Sequence, residues 1–140
     1  MKLDLSSLGK AVESLEKTLR VADDNTFMSR LTEDQKEAVR AGVIQNFEFT
    51  YELCWKFMRR WLEVNLGSVY VAGVARRQLF RLSAEHRLVS DVDRWMEYHD
   101  ARSETAHTYD ENTAEDVFET AHRFLADAQK LPEALEAHNA

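Results

Sequence analysis

The chain has little of what β-structure and covalent cross-linking require. One proline and four glycines among 140 residues leave too few turn-formers for a sandwich or barrel of many short strands. The single cysteine, Cys54, excludes an internal disulfide and a cysteine-rich zinc site, and its setting, LCWKF, reads as a packed helix face. No run of eighteen apolar residues occurs, which argues against a membrane-spanning helix, and the opening MKLDLSSLGK lacks the apolar stretch of a secretory signal. The expectation is a soluble, cytoplasmic protein with no membrane partner. Positive charge is short as well. Lys and Arg number 18 against 25 Asp and Glu, a net charge of −7, so a broad nucleic-acid footprint built on phosphate neutralisation is excluded. Residues 56–102 nevertheless hold nine of the basic residues against six acids, a local surplus that fits either a basic surface or a helix face of mixed charge.

What is abundant is helix-forming. Leu, Ala, Glu and Arg dominate, and a length of 140 residues suits a single domain spanning 1–140 with one core. The spacing of Leu5, Leu8, Val12, Leu15 and Leu19 predicts a first helix over 4–22. Thr32 and Gln35 form a capping box for a long second helix ending at Gly67. That helix is apolar on two faces: Ile44, Phe47, Tyr51, Trp55, Met58 and Leu62 on one, Phe49, Leu53, Phe57 and Val64 on the other. Such a helix is central in a bundle and also packs on a second subunit. A third helix is expected over 71–86, a fourth capped by Ser90 and running to about Thr108, and a fifth capped by Thr113 and stopped by Pro132, with a frayed tail from about residue 132. Short connections imply antiparallel neighbours, and the fold class is all-α: an up-and-down antiparallel bundle of four to five helices.

The chemistry-bearing stretch is ARSETAHTYDEN, residues 101–112. Helical periodicity puts His99 and Arg102 on the side of Trp95. An arginine there either pairs with Glu48, Glu52 or Asp100, or is a sheltered cation for an anionic group, with phosphate the natural one. His107 falls about 140° from Arg102 on an ideal helix, so a site using both needs a distorted helix end or two copies of the helix facing across a dimer. Tyr109 lies close to the Arg102 face. A rival constellation, Glu104-x-x-His107 and Glu119-x-x-His122 with Glu48 and Glu52, has the spacing of di-iron bundles. Glu119, however, points away from the apolar stripe of its own helix, so neither a metal site nor a cofactor is expected. Gly-rich phosphate loops and nucleophile elbows are absent.

FEFTYELCWKFMRRWLE at 47–63 followed by ARSETAHTYDENTAEDV at 101–117 resembles the nucleotidyltransferase substrate-binding proteins of the HEPN superfamily, over about residues 5–135. The resemblance implies a helical homodimer encoded beside a minimal nucleotidyltransferase. It also implies an Arg-x4-His ribonuclease site at the dimer interface, as in HepT-type toxins, acting on RNA without a metal and silenced when the partner adenylylates the motif tyrosine. Carried onto this sequence, the catalytic pair is Arg102 and His107 and the modified residue is Tyr109; His99, on the Arg102 face, and Ser103, beside Arg102, are expected to support them. Ser103 stands where active nucleases often carry Asn, and a serine reaches less far. The family name records the alternative, a non-catalytic subunit that presents a substrate to the nucleotidyltransferase.

Overall fold

A computed structural model of the chain describes residues 2–138. Every regular element among them is a helix: α1 (Ser6–Ala22), α2 (Asn25–Met28), α3 (Glu33–Leu66), α4 (Ser68–Val71), α5 (Arg76–Glu85), α6 (Val92–Glu104), a 3₁₀ turn (Thr105–His107) and α7 (Glu111–Ala137). The all-α expectation holds. None of these helices is long and apolar enough to cross a membrane.

Thr32 opens α3 with the reciprocal cap that the sequence predicts. Gln35 N–H donates to Thr32 Oγ1 at 3.2 Å, and Thr32 N–H donates to the Gln35 side chain at 2.9 Å, which satisfies two of the free donors at the helix start. The helix then runs 34 residues, roughly 51 Å at 1.5 Å per residue, to Gly67, whose φ of +98° suits a residue without Cβ. It is the central element, in contact with α1, α5, α6 and α7. Its first apolar face is covered as expected, with Ile44, Phe47, Tyr51, Met58 and Leu62 buried and Trp55 half-buried. The second face is divided. Phe57 is buried and Leu53 half-buried, but Phe49 is 60% and Val64 42% exposed.

The core is organised round Phe124 of α7. Phe47 and Tyr98 meet its ring edge-on at centre separations of 5.1 and 5.0 Å, and Trp95 does so at 5.8 Å, the geometry that the aromatic quadrupole favours. Each of these large side chains contributes about 1.5–3 kcal/mol by its burial, and together they fix α6 against α3 and α7. Cys54 is fully buried, and burial pushes its thiol well above the usual range, so it is an inert part of the core.

Four boundaries differ from the sequence expectation. The third helix does not begin at Val71: Ser68–Val71 forms a separate turn, Gly73 takes φ +72°, and Ala75 is extended before α5 starts at Arg76. The cap of α6 is Asp91 and not Ser90, because the Asp91 carboxylate accepts from Arg94 N–H at 3.1 Å. The cap of α7 is likewise Asp110 and not Thr113, its carboxylate accepting from Asn112 N–H at 2.9 Å. Pro132 does not stop the last helix. It lies inside α7, where it forfeits one backbone hydrogen bond. Leu131 and Leu135, buried on either side of it, hold the helix to the core regardless. The segment after 132 is therefore docked as far as Ala137, and Trp61 Nε1–H donates to the His138 carbonyl at 3.2 Å.

Candidate functional site

The site forms where the end of α6 lies against the middle of α3. Arg102, on the last turn of α6, reaches two carboxylates of α3: Nη1 is 3.4 Å from Glu48 Oε2 and Nε is 3.2 Å from Glu52 Oε1. Nη1 also donates to Thr105 Oγ1 at 3.0 Å. The Nε contact is an ion pair without hydrogen-bond alignment, and this buried N–H has no hydrogen-bond acceptor. Arg102 is thus compensated in charge but not saturated in hydrogen bonding. Its side chain is 32% exposed. Glu48, Phe49, Glu52, Leu53 and Lys56 line a shallow hollow beside it, so the guanidinium borders the uncovered strip of α3.

After Arg102 the winding tightens. Thr105–His107 is a 3₁₀ turn, so the helix end departs from the straight α-helix on which Arg102 and His107 diverge. No hydrogen bond joins the two within the described residues of one chain. His107 is exposed, its ring centre 6.2 Å from that of Tyr109 at 76°. Tyr109 is 87% exposed, so its ring does not cap the bundle. It stands at the rim of a groove of about 690 Å³ bordered by Glu37, Ile44, Glu48, Thr105 and Glu111. Ser103 Oγ donates to the His99 carbonyl at 3.1 Å, which commits its hydroxyl to its own helix.

His99 has partners that the sequence does not reveal. Its Nδ1 is 2.9 Å from the Tyr51 hydroxyl, which is also 3.2 Å from Arg76 Nη1. Arg76 stacks on the Trp55 ring, with Cζ 3.7 Å from its centre. Burial, and next the Arg76 charge, lower the His99 pKa, while burial raises that of Tyr51. Periodicity places Tyr51 in the core and Arg76 on the rim of α5; only the packing of α5 against α3 joins them.

The di-iron constellation is dismantled by its own side chains. Glu119 is exposed, and His122 is spent on Asp23 at 2.8 Å and on the Phe118 carbonyl at 3.0 Å. Four of the nine basic residues in 56–102 are ion-paired, Arg59 with Glu63, Arg77 with Asp93, Arg94 with Asp127 and Arg102 with two glutamates, while Lys56, Arg60 and Arg76 lie over aromatic rings.

Known proteins share this fold. The family described as nucleotidyltransferase substrate binding protein like matches residues 3–137. A Haemophilus influenzae protein named probable ribonuclease HepT is 33% identical over 141 residues, covering 99% of this chain and 95% of that protein. A solved Haemophilus influenzae structure, described as revealing the fold of a substrate binding domain of a nucleotidyltransferase, has a TM-score of 0.92 at 30% identity, over 95% of this chain and 99% of that one. A Thermus thermophilus structure is similar in fold alone, with a TM-score of 0.68 at 24% identity, over 89% of this chain and 98% of that one. The chain belongs to the nucleotidyltransferase substrate-binding family, in the HepT-like branch of the HEPN superfamily.

Proposed function

We propose that this protein is the ribonuclease toxin of a toxin–antitoxin pair, acting in the cytoplasm as a homodimer and controlled by a minimal nucleotidyltransferase. The carrying observation is the state of Arg102, a guanidinium half-sheltered between Glu48 and Glu52, with a buried Nε that lacks a hydrogen-bond acceptor, at the border of a strip where Phe49 is exposed and Leu53 half-buried. A second copy covering that strip would set two Arg102 and two His107 side chains round one groove, which supplies the proximity that a single chain lacks.

The reaction is an RNA cleavage that needs no metal. The ribose 2′-hydroxyl attacks the adjacent phosphorus and gives its proton to one His107, while the bond from phosphorus to the 5′-oxygen breaks and the leaving oxygen takes a proton from the other. Arg102 neutralises the charge that grows on the non-bridging oxygens. The products are a 2′,3′-cyclic phosphate and a 5′-hydroxyl. Single-stranded RNA suits this chemistry because its backbone can reach the in-line geometry. The purified protein should cleave RNA in the presence of EDTA, and Arg102→Ala or His107→Ala should each lower the rate at least on the order of 10²-fold. Cleavage undiminished by both substitutions would refute this site.

Tyr109 is the control point in this reading. Its ring stands free beside His107, open to a docked nucleotidyltransferase, and AMP attached to its hydroxyl would bring a bulky anion to the groove and repel RNA. With the neighbouring nucleotidyltransferase, ATP and Mg²⁺, the chain should gain AMP, and Tyr109→Phe should lose both the label and the inhibition. A label undiminished on Tyr109→Phe would show that the switch lies elsewhere. A second reading, a non-catalytic subunit presenting a substrate to the nucleotidyltransferase, is favoured by Ser103, whose hydroxyl is bonded to its own helix. It predicts a stable complex with that enzyme and no cleavage at any protein concentration.

A further inference from the structure

Tyr51 and Arg76 determine the chemistry of His99, which lies one turn before Arg102 on α6. The Tyr51 hydroxyl is 3.2 Å from Arg76 Nη1 and 2.9 Å from His99 Nδ1. A guanidinium carries donors only, so the hydroxyl oxygen accepts from Arg76. A buried phenol that also satisfies its own proton does so by donating to His99 Nδ1, an arrangement that requires the ring proton on Nε2. The arrangement is braced from behind. Tyr51 is fully buried, Arg76 is stacked on Trp55, and Trp55 Nε1–H donates to Glu52 Oε2 at 3.0 Å. The other oxygen of that carboxylate faces Arg102 Nε. One set of contacts therefore runs from Arg102 through Glu52, Trp55, Arg76 and Tyr51 to His99.

Protonating His99 would set a second cation near Arg76 and present the Tyr51 hydroxyl with two donors. Burial and the Arg76 charge disfavour that cation and outweigh the opposing pull of Asp100 and Glu52. Residues three apart on a helix share a face, with about 5–6 Å between their Cβ atoms, which sets His99 next to Arg102 on α6. We propose that His99, held by Tyr51 as the Nε2–H tautomer, is a second anion-binding donor of the Arg102 site, giving a neutral N–H to a phosphodiester oxygen whose charge Arg102 compensates. This inference rests on the reading of the Arg102 groove as a phosphodiester site. A neutral donor adds orientation without a further positive charge that the two shared glutamates would have to balance.

Long-range proton–nitrogen spectra of the labelled protein test it, with a 2′-O-methylated RNA oligonucleotide, which cannot be cleaved, as the probe. The wild type should show the Nε2–H tautomer and a titration below the ordinary histidine value. Tyr51→Phe should give mixed tautomers, and Arg76→Gln should raise the titration midpoint. The oligonucleotide should shift the His99 Nε2 signal. His99→Ala should weaken binding roughly tenfold, while His99→Gln, which keeps an N–H, largely restores it. A wild-type Nδ1–H tautomer, or one indifferent to Tyr51→Phe, overturns the inference. So does Arg102-dependent binding that leaves the His99 signal unmoved, although that result leaves the ribonuclease reading in place. A shifted signal with no cleavage of unmodified RNA refutes the ribonuclease and retains His99 as a binding residue, and failure of the oligonucleotide to bind overturns both.

Discussion

Arg94 and Arg102 sit about two turns apart on α6, and each reaches carboxylates on a neighbouring helix. Arg94 meets Asp127 of α7 in a two-pronged pair, Nε and Nη2 each 3.0 Å from one carboxylate oxygen. The Tyr98 hydroxyl donates to the same carboxylate, and Asp127 is 7% exposed. Both carboxylate oxygens are engaged, and the geometry is the bidentate one that guanidinium and carboxylate share. Arg102 instead divides itself between two glutamates, is not aligned for a hydrogen bond at Nε, and lies beside a hollow. The first arrangement is closed and joins α6 to α7. The second is open: the Arg102 charge is shared between two part-exposed glutamates, and its buried Nε lacks a hydrogen-bond acceptor. Similar residues on one helix thus serve packing at one end and, in the proposed reading, recognition at the other.

The two can be separated by substitution, with the largest effect expected at Arg102. Arg102→Ala should lower RNA cleavage on the order of 10²–10³-fold, the usual cost of a lost electrostatic stabiliser at a reacting phosphate. Its folding stability should change by less than about 1 kcal/mol, because both glutamates are about a third exposed and regain water. Asp127→Ala should do the reverse. It leaves the buried Tyr98 hydroxyl with only the Arg123 carbonyl at 3.5 Å and frees Arg94, which is 44% exposed and can hydrate, so the cost is about 2–4 kcal/mol. Denaturant unfolding measures it, and the specific activity of the folded fraction should be retained. A destabilisation as large in Arg102→Ala as in Asp127→Ala would erase the distinction.

This contrast also explains what can be read from the sequence. Arg102, His107 and Tyr109 are legible there as a short string through the resemblance to a known family, and the two-faced α3 announces itself through Phe49 and Leu53 because its signal is local and periodic. The capping box at Thr32 is legible for the same reason. Asp91 and Asp110 escape notice as caps because Ser90 and Thr113 offer the same pattern nearby, and backbone geometry decides between them. Pro132 misleads because local propensity says stop, while the burial of Leu131 and Leu135 says continue. The relay from Arg76 through Tyr51 to His99 joins residues 25 and 48 positions apart. No periodicity encodes such a meeting; it exists only once α5 and α6 have packed on α3.

The smallest expected effect sharpens the comparison, because it sets His99, in the open region, against His122, which ties α7 to the end of α1. Burial opposes a charge on His122, but the hydrogen bonds to Asp23 and to the Phe118 carbonyl, with the Asp23 and Glu119 charges, prevail and raise its pKa. A raised value means that the folded state binds the proton more tightly. The stabilisation is fully present below the ordinary histidine pKa of about 6.5 and is lost as pH rises through the folded value. His99 runs the other way. Its pKa is lowered, first by burial and then by Arg76, so its contribution is present above about 6.5 and is lost as pH falls through its folded value. Both rings are partly exposed, and solvent screening keeps each effect below about 1 kcal/mol. Unfolding of the wild type, His122→Gln and His99→Gln across pH 5 to 8, a range of about three units centred on that pKa, should resolve them. The advantage of the wild type over His122→Gln should shrink as pH rises, and its advantage over His99→Gln should shrink as pH falls. Two curves sloping the same way would mean that the Tyr51 and Arg76 relay does not keep His99 neutral, and the open end of α6 would then lose the neutral donor assigned to it.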